Sequence, residues 1–342
     1  MNKRKIILIS ITVIFLVNCT LLTTESLFTT EINTNEVKIL VLMDNNFGAN
    51  YIGILSQFEK FGWDVTVAGP TETISGCEYN SVNYDVDILF SEITNIASYH
   101  CVNIMPGSSH VNLMADVGSI LSKISSASSA GLIISAWCKA VRVLAAADVI
   151  DGEDVTGDSE FAVECMAAGA TFHENSPPII SGNIVTVSST QLYLNEMYLA
   201  MSQAIGCYET TDPVIENLLI IPNENGSTLL QVTVTDESGI SEVIAILDLI
   251  SSKDESAPAI ITLELEKIGT SNNFSIIISS EVLGKYSITI EATDVFWNEA
   301  SIQQVTTVEF GKKAGIEIIS LLNSIVIFMS IKIIQRNKKN NR

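Results

Sequence analysis

Histidine is nearly absent. The 342 residues hold three, His100, His110 and His173, and neither a CxxC pair nor an HExxH run accompanies them. A transition-metal centre has almost no ligands to be built from, so neither a metal nor a cofactor is expected. Positive charge is scarce as well: 18 Lys and Arg stand against 39 Asp and Glu, giving a net charge of −21 and a pI of about 4.4. Such a surface repels a phosphate backbone, which excludes nucleic acid as a partner. Only 17% of the chain is charged while 47% is hydrophobic, with a mean hydropathy of +0.36. A solvated disordered chain does not carry that much apolar material. The length calls for about two domains.

Part of the hydrophobic excess sits at the ends. MNKRK followed by the apolar run IILISITVIFLV has the pattern of a secretory signal or a signal anchor, assigned to 1–23, and 24–36 is a polar spacer. Cys19 in LVNC resembles a lipoprotein cleavage site, although Asn18 stands where a small residue normally precedes the cysteine. At the other end, 316–334 (IEIISLLNSIVIFMSIKII) is 19 residues long, near the ~20 that a helix needs to span hydrocarbon, and predicts a transmembrane helix in contact with lipid. The basic tail at 335–342 follows it. The cationic residues at both ends favour the cytoplasmic side, so everything between the two apolar segments is expected outside the cytoplasm.

Between these ends the pattern changes near Thr210 to Asp212. From 37 to 207 strand and helix signals alternate: VKILVLM and GLIISAW are continuous apolar runs suited to strands buried on both faces, and Tyr51 to Phe61 and Val111 to Ile124 have helical spacing. The expected fold is α/β, a flavodoxin-like parallel sheet sandwiched by helices, with ligands at the carboxyl ends of the strands. In GLIISAWCKAVRVLAAADVI the strand runs straight into Cys138, and a helical stretch from Lys139 starts without a loop. A residue at such an elbow is held in a strained conformation above the sheet. Facing a helix N-terminus, with Lys139 adjacent, its sulfur is expected to favour the thiolate.

These residues resemble the ThiJ/PfpI group of the class I glutamine amidotransferase-like superfamily. SAWCKA is similar to its nucleophile elbow, IMPGSS (Ile104 to Ser109) to its strand-end PGG turn, FEKFGWDVTVAG to its first helix and second strand, and GNIVTVSSTQLYLNEMYLAMSQAIG to its closing strand and helix. The resemblance makes Cys138 the nucleophile and implies an oxyanion hole from the backbone N–H of Lys139 and those around Gly107 and Ser108. Two family residues are replaced. Lys139 follows the nucleophile where many members have His, and Asn50 aligns with the Glu that contacts the cysteine sulfur. Candidate proton carriers are then His110, just after the PG turn, together with Asp44, Glu92 and Asp158. Relatives act on carbonyls such as glyoxals, act as oligomeric peptidases, or sense oxidants through the cysteine. With the family Glu and His missing, reaction of a thiol with a small carbonyl compound or an oxidant is the activity expected, in a glyoxalase- or hydrolase-like enzyme that can pair as a homodimer. The alternative is a catalytically inactive ligand- or partner-binding surface protein on the same fold.

Five cysteines fall in the α/β part. Cys77 with Cys101, or Cys165 with Cys207, are the pairs considered for an exported chain, with one thiol left over. From 212 to 310 seven short alternating runs separated by turn signals such as DESG and NENG predict an all-β, immunoglobulin-like sandwich, and YSITIEATDVFWNEAS resembles the final hairpin of bacterial surface repeats. This stretch has 16 Asp and Glu against 3 Lys, so it carries 13 of the 21 net negative charges. A solvated acidic surface is the reading adopted for it over a calcium site. Asn225 and Asn273 begin acceptor sequons for glycosylation.

Overall fold

Apart from Lys38, which is exposed at its start, the run VKILVLM is apolar throughout, and it becomes β1 (Lys38–Leu42), the strand from which the α/β sheet is built. The computed structural model describes residues 36–310 apart from 78–80, 117–118, 253–256, 280–281 and 283, all within one compact unit spanning Asn33–Arg342. The leader, most of the polar spacer, the segment 316–334 and the basic tail lie outside the described residues. Among the described residues no helix is long and apolar enough to cross a membrane.

After β1 come β2 (Asp64–Gly69), the hairpin β3 (Thr73–Ser75) and β4 (Asn83–Asp85), then β5 (Ile88–Leu89), β6 (Cys101–Ile104), β7 (Ile133–Trp137), β8 (Asp154–Val155), β9 (Thr171–Phe172), β10 (Ile179–Ser181) and β11 (Ile184–Val187). Seven of them form one sheet in the order β10-β11-β7-β6-β1-β2-β5. All neighbours are parallel except the edge pair β10 and β11. The helices are α1 (Tyr51–Lys60), α2 (His110–Ala115), α3 (Ile120–Ser129), α4 (Val141–Ala146), α5 (Ala162–Ala167) and α6 (Leu194–Ile205). This is the flavodoxin-like α/β architecture. The stretch from Val111 to Ile124, which the spacing reads as one helix, is two, because α2 ends at Asp116 and α3 begins after Ser119.

Alternation along the strands sends side chains to two covered faces. Leu40, Leu42, Val102 and Ile134 pack in one cluster with Ile120, Ile124, Val141 and Leu144. The residues between them in sequence, Asn103, Ser135 and Trp137, point to the opposite face. There Trp137 meets Tyr198 of α6 edge-on, with ring centroids 5.5 Å apart. Burial leaves the polar atoms on this face dependent on one another: Asn103 Oδ1 accepts from Ser135 Oγ at 2.8 Å and from Trp137 Nε1 at 2.7 Å.

The all-β part contains β12 (Val214–Pro222), β13 (Thr228–Thr235), β14 (Ile240–Ser251), β15 (Ile260–Glu264), β16 (Glu266–Lys267), β17 (Asn273–Ile278), β18 (Gly284–Asp294) and β19 (Glu299–Phe310). They form two four-stranded antiparallel sheets, β12-β13-β17-β16 and β15-β14-β18-β19. Inward residues of both, among them Val232, Phe274, Leu247 and Ile288, share one core. The single strand expected from Ile260 to Lys267 is divided. β15 pairs with β14, whereas β16 pairs with β17 in the other sheet, and the buried Leu265 marks the crossing.

Cys77, Cys101, Cys138, Cys165 and Cys207 are all free thiols, so neither disulfide considered from the sequence is formed.

Candidate active site at the Cys138 elbow

β7 delivers Cys138 to the carboxyl edge of the sheet. Its strand residues from Ile134 to Trp137 are wholly buried, and the chain then reverses into a single 3-10 turn over Cys138–Ala140 before α4 begins. The reversal forces Cys138 to φ +53°, a left-handed conformation that costs a non-glycine residue about 1 to 3 kcal/mol. The thiol is thereby raised out of the sheet and is partly exposed, while Trp137 before it and Ala140 after it are buried. Three of the other described cysteines make a useful contrast. Cys101, Cys165 and Cys207 are buried, and burial pushes their thiols up to about 12, 11 and 12. They serve as small apolar groups.

The loop after β8 lies directly on the elbow. Gly157 fits because it has no side chain: a Cβ there would come within 2.3 Å of Val141 Cγ1 and 2.9 Å of Cys138 O. Its close approach lets Asp158 N–H donate to Cys138 O at 3.2 Å and brings the Asp158 carboxylate to the sulfur, with Cys138 Sγ donating to Oδ2 at 4.0 Å. Lys139 Nζ stands 4.0 Å from the same oxygen and 3.7 Å from Glu160 Oε2. Of the four proton-carrier candidates, Asp158 is the one that touches the thiol. Asp44 is hydrogen-bonded by Asn45, Glu92 Oε2 accepts from the N–H of Leu89, and neither has a contact with Cys138 among the described interactions.

The electrostatics differ from those expected of a helix terminus. Burial, the largest cause, and the Asp158 charge both push the Cys138 thiol up, against the Lys139 backbone N–H directed at the sulfur and the Lys139 ammonium. The helix that follows has only six residues and begins three positions beyond the sulfur, so its dipole is weak there. Burial and the carboxylate at 4.0 Å outweigh it, and the thiol rather than the thiolate is the resting form at neutral pH.

The remaining site residues are placed as follows. His110 opens α2 almost fully buried, and its Nδ1 lies 2.9 Å from Gly107 O. A carbonyl can only accept, so Nδ1 carries the proton and Nε2 keeps the lone pair. Burial lowers the His110 pKa, and the nearby Arg142 and Lys139 add to the effect, so the ring is neutral. One wall of the elbow region is built from His110, whose ring lies 5.4 Å from that of Phe161, and from Arg142, which sits 4.3 Å over Phe161 while holding Glu164 with two bonds of 2.8 and 2.9 Å.

Gly107 takes φ +109° and packs so tightly against Gly48 that a Cβ would lie 2.3 Å from Gly48 N. The same apposition spends the Ser108 N–H, which donates to Asn46 O at 3.0 Å, so Ser108 is not an open oxyanion donor. Asn50 immediately precedes α1 without capping it, and its amide donates to Thr190 Oγ1 at 2.7 Å. That bond turns it to α6's approach loop, and the described interactions do not join it to Cys138.

Residues 37–202 match the model of the DJ-1/PfpI family. This segment is a DJ-1/PfpI domain. The domain takes up just under half of the chain and leaves the all-β part outside the match. Solved structures with similar folds include a two-domain protein of Anabaena variabilis containing DJ-1/ThiJ/PfpI-like and ferritin-like domains, at 19% identity over 50% of this chain and 48% of that one, TM-score 0.45. The chain thus spans about half the length of that protein. A ThiJ/PfpI domain protein from Brachyspira murdochii is 21% identical over 52% of this chain and 97% of its own, TM-score 0.42. Toxoplasma gondii DJ-1, in an oxidized form, is 19% identical over 50% of this chain and 92% of its own, TM-score 0.44. No curated protein matches the chain.

Proposed function

We propose that the DJ-1/PfpI domain reacts through Cys138 with small carbonyl compounds, and that Asp158 receives the thiol proton. The observation that carries this reading is the contact between Cys138 Sγ and Asp158 Oδ2 at 4.0 Å, on a partly exposed elbow. As sulfur adds to the carbonyl carbon, the S–H proton passes to the carboxylate, an S–C bond forms, and the carbonyl π pair becomes an alkoxide that takes the proton back. The product is a thiohemiacetal, with no change of oxidation state. A carboxylate beside a resting thiol serves this addition, because base and nucleophile are already paired. The same carboxylate disfavours reaction with peroxides, which depends on the thiolate itself. Lys139 Nζ, 4.0 Å from the same Asp158 oxygen, helps to keep that side chain beside the sulfur.

The two four-stranded sheets support reading the all-β part as an immunoglobulin-like spacer. Attachment to a membrane through 316–334, with the folded parts on the non-cytoplasmic side, is proposed on the two apolar runs and their flanking basic residues. Protease added to intact cells tests that placement, since it must reach the folded parts.

The test of the chemistry uses the full chain. Loss of glyoxal or methylglyoxal in its presence should be abolished by Cys138→Ala and slowed by Asp158→Asn. Equal consumption by parent and Cys138→Ala refutes the assignment. No consumption by a folded parent leaves the inactive binding protein as the correct reading.

A further inference from the structure

Two acidic residues of the all-β part converge with Glu209, which lies just before it. Glu209 in the segment between α6 and β12, Asp236 in the turn after β13 and Asp294 at the end of β18 each bring one carboxylate oxygen within 4.8 Å of the others. Asp294 is wholly buried. Its Oδ1 accepts from the N–H groups of Phe296 and Asn298, each at 2.8 Å, and its Oδ2 from Asn298 Nδ2 at 2.8 Å and Ser238 Oγ at 3.5 Å. Asp236 Oδ1 accepts from Ser238 N–H at 2.8 Å. Those bonds shape the turns and supply no positive charge.

A separate observation concerns Glu209. Its Oε1 accepts from Thr211 N–H, but its Oε2 is buried and receives no hydrogen bond. A carboxylate oxygen shut away from water without a donor is costly and calls for a partner. No Lys, Arg or His pairs with any of the three among the described residues. Three carboxylates this close repel one another unless a cation stands between them.

We propose that Glu209, Asp236 and Asp294 bind one calcium ion, which fastens the interdomain segment to the end of the all-β part that abuts the DJ-1/PfpI domain. The donors are all hard oxygens, which selects an alkaline-earth cation over zinc or copper. Three carboxylates drawn from three separate turns leave room for carbonyl and water ligands, which suits the larger, more flexible shell of calcium better than the strict octahedron of magnesium. The position gives the ion its consequence. Phe296 and Trp297, which follow Asp294, stack on Phe61 (4.8 Å) and Tyr198 (6.2 Å) of the DJ-1/PfpI domain, and Asn298 Nδ2 donates to Glu209 O at 3.2 Å.

The full chain, stripped with chelator and titrated with calcium by calorimetry, should bind one ion, and its Tm should rise by several degrees. Terbium at the same site should emit when Trp297 is excited. Glu209→Gln and Asp236→Asn should each weaken calcium binding at least tenfold and remove the emission, yet melt no lower than the parent in chelator, because each relieves repulsion. Calcium should also slow proteolysis within 207–213. Absence of heat and emission at about 1 mM ion, or variants that bind like the parent, overturns the site. Binding with unchanged cleavage overturns its role at the junction.

Discussion

Replacing Asp158 with Asn should move two properties of Cys138 in opposite directions. The carboxylate lies 4.0 Å from the sulfur. At that distance two unit charges interact by about 1 kcal/mol in bulk water and by about 4 kcal/mol at the effective dielectric near a protein surface. The Asp158 side chain is 26% exposed, so the lower part of this range applies, about 1.5 kcal/mol, or roughly tenfold in the thiolate population. The variant also frees Lys139 from Asp158, which shifts the balance the same way. Because the thiol of the parent is held above its ordinary range, its alkylation is slow at pH 7 and climbs with pH. In Asp158→Asn the whole profile moves to lower pH, and alkylation at pH 7 rises about tenfold. Carbonyl consumption should instead fall by about 10² or more, since the group that takes the proton is gone. Iodoacetamide kinetics from pH 6 to 10, beside the rate of methylglyoxal capture by equimolar protein from the same samples, read both. If the two rates fall together, Asp158 merely holds the loop in place, and the assignment of a proton acceptor is wrong.

Three other substitutions probe the support of the site. Asn103→Leu strands Ser135 and Trp137 Nε1 in the sheet interior and should cost about 2 to 4 kcal/mol in denaturant unfolding; a loss under about 0.5 kcal/mol contradicts the network. Gly157→Ala pushes a methyl against Val141 and the Cys138 carbonyl, so stability should drop by about 1 to 3 kcal/mol and alkylation of Cys138 should change with it; a neutral variant would mean the loop does not rest on the elbow. Phe296→Ala removes a ring that is almost fully buried against Phe61, and cleavage within 207–213 should accelerate severalfold while Cys138 alkylation stays near the parent rate. Unchanged cleavage contradicts a packed junction.

The parts of this molecule that a sequence exposes are those set by local pattern. VKILVLM and GLIISAW read as interior strands because, Lys38 apart, they carry no charged side chain, and the elbow is visible because no loop separates Trp137 from the turn at Cys138. What stayed hidden depends on chain segments meeting. Asp158 is twenty residues from Cys138, and only the missing side chain of Gly157 lets its loop descend onto the turn. The thiol's pKa runs opposite to the expectation from the helix end because burial, and after it the Asp158 charge, arise from segments that meet only in the fold. The hydrogen bonds of Ser108 to Asn46 and of Asn50 to Thr190 join segments that no local pattern relates. Likewise, Ile260 to Lys267 alternates as one strand, and its division between two sheets is decided by β14 and β17.

Between the far module and the thiol runs an unbroken column of rings. Phe296 and Trp297 lean on Phe61 and Tyr198, and Tyr198 leans on Trp137, the neighbour of Cys138. A chain cut after Cys207 would therefore present bare aromatic faces to water, and it would self-associate or dull its own cysteine before any partner or substrate was involved. Whoever handles the two modules handles a single mechanical object, in which the outer one serves as the missing wall of the inner.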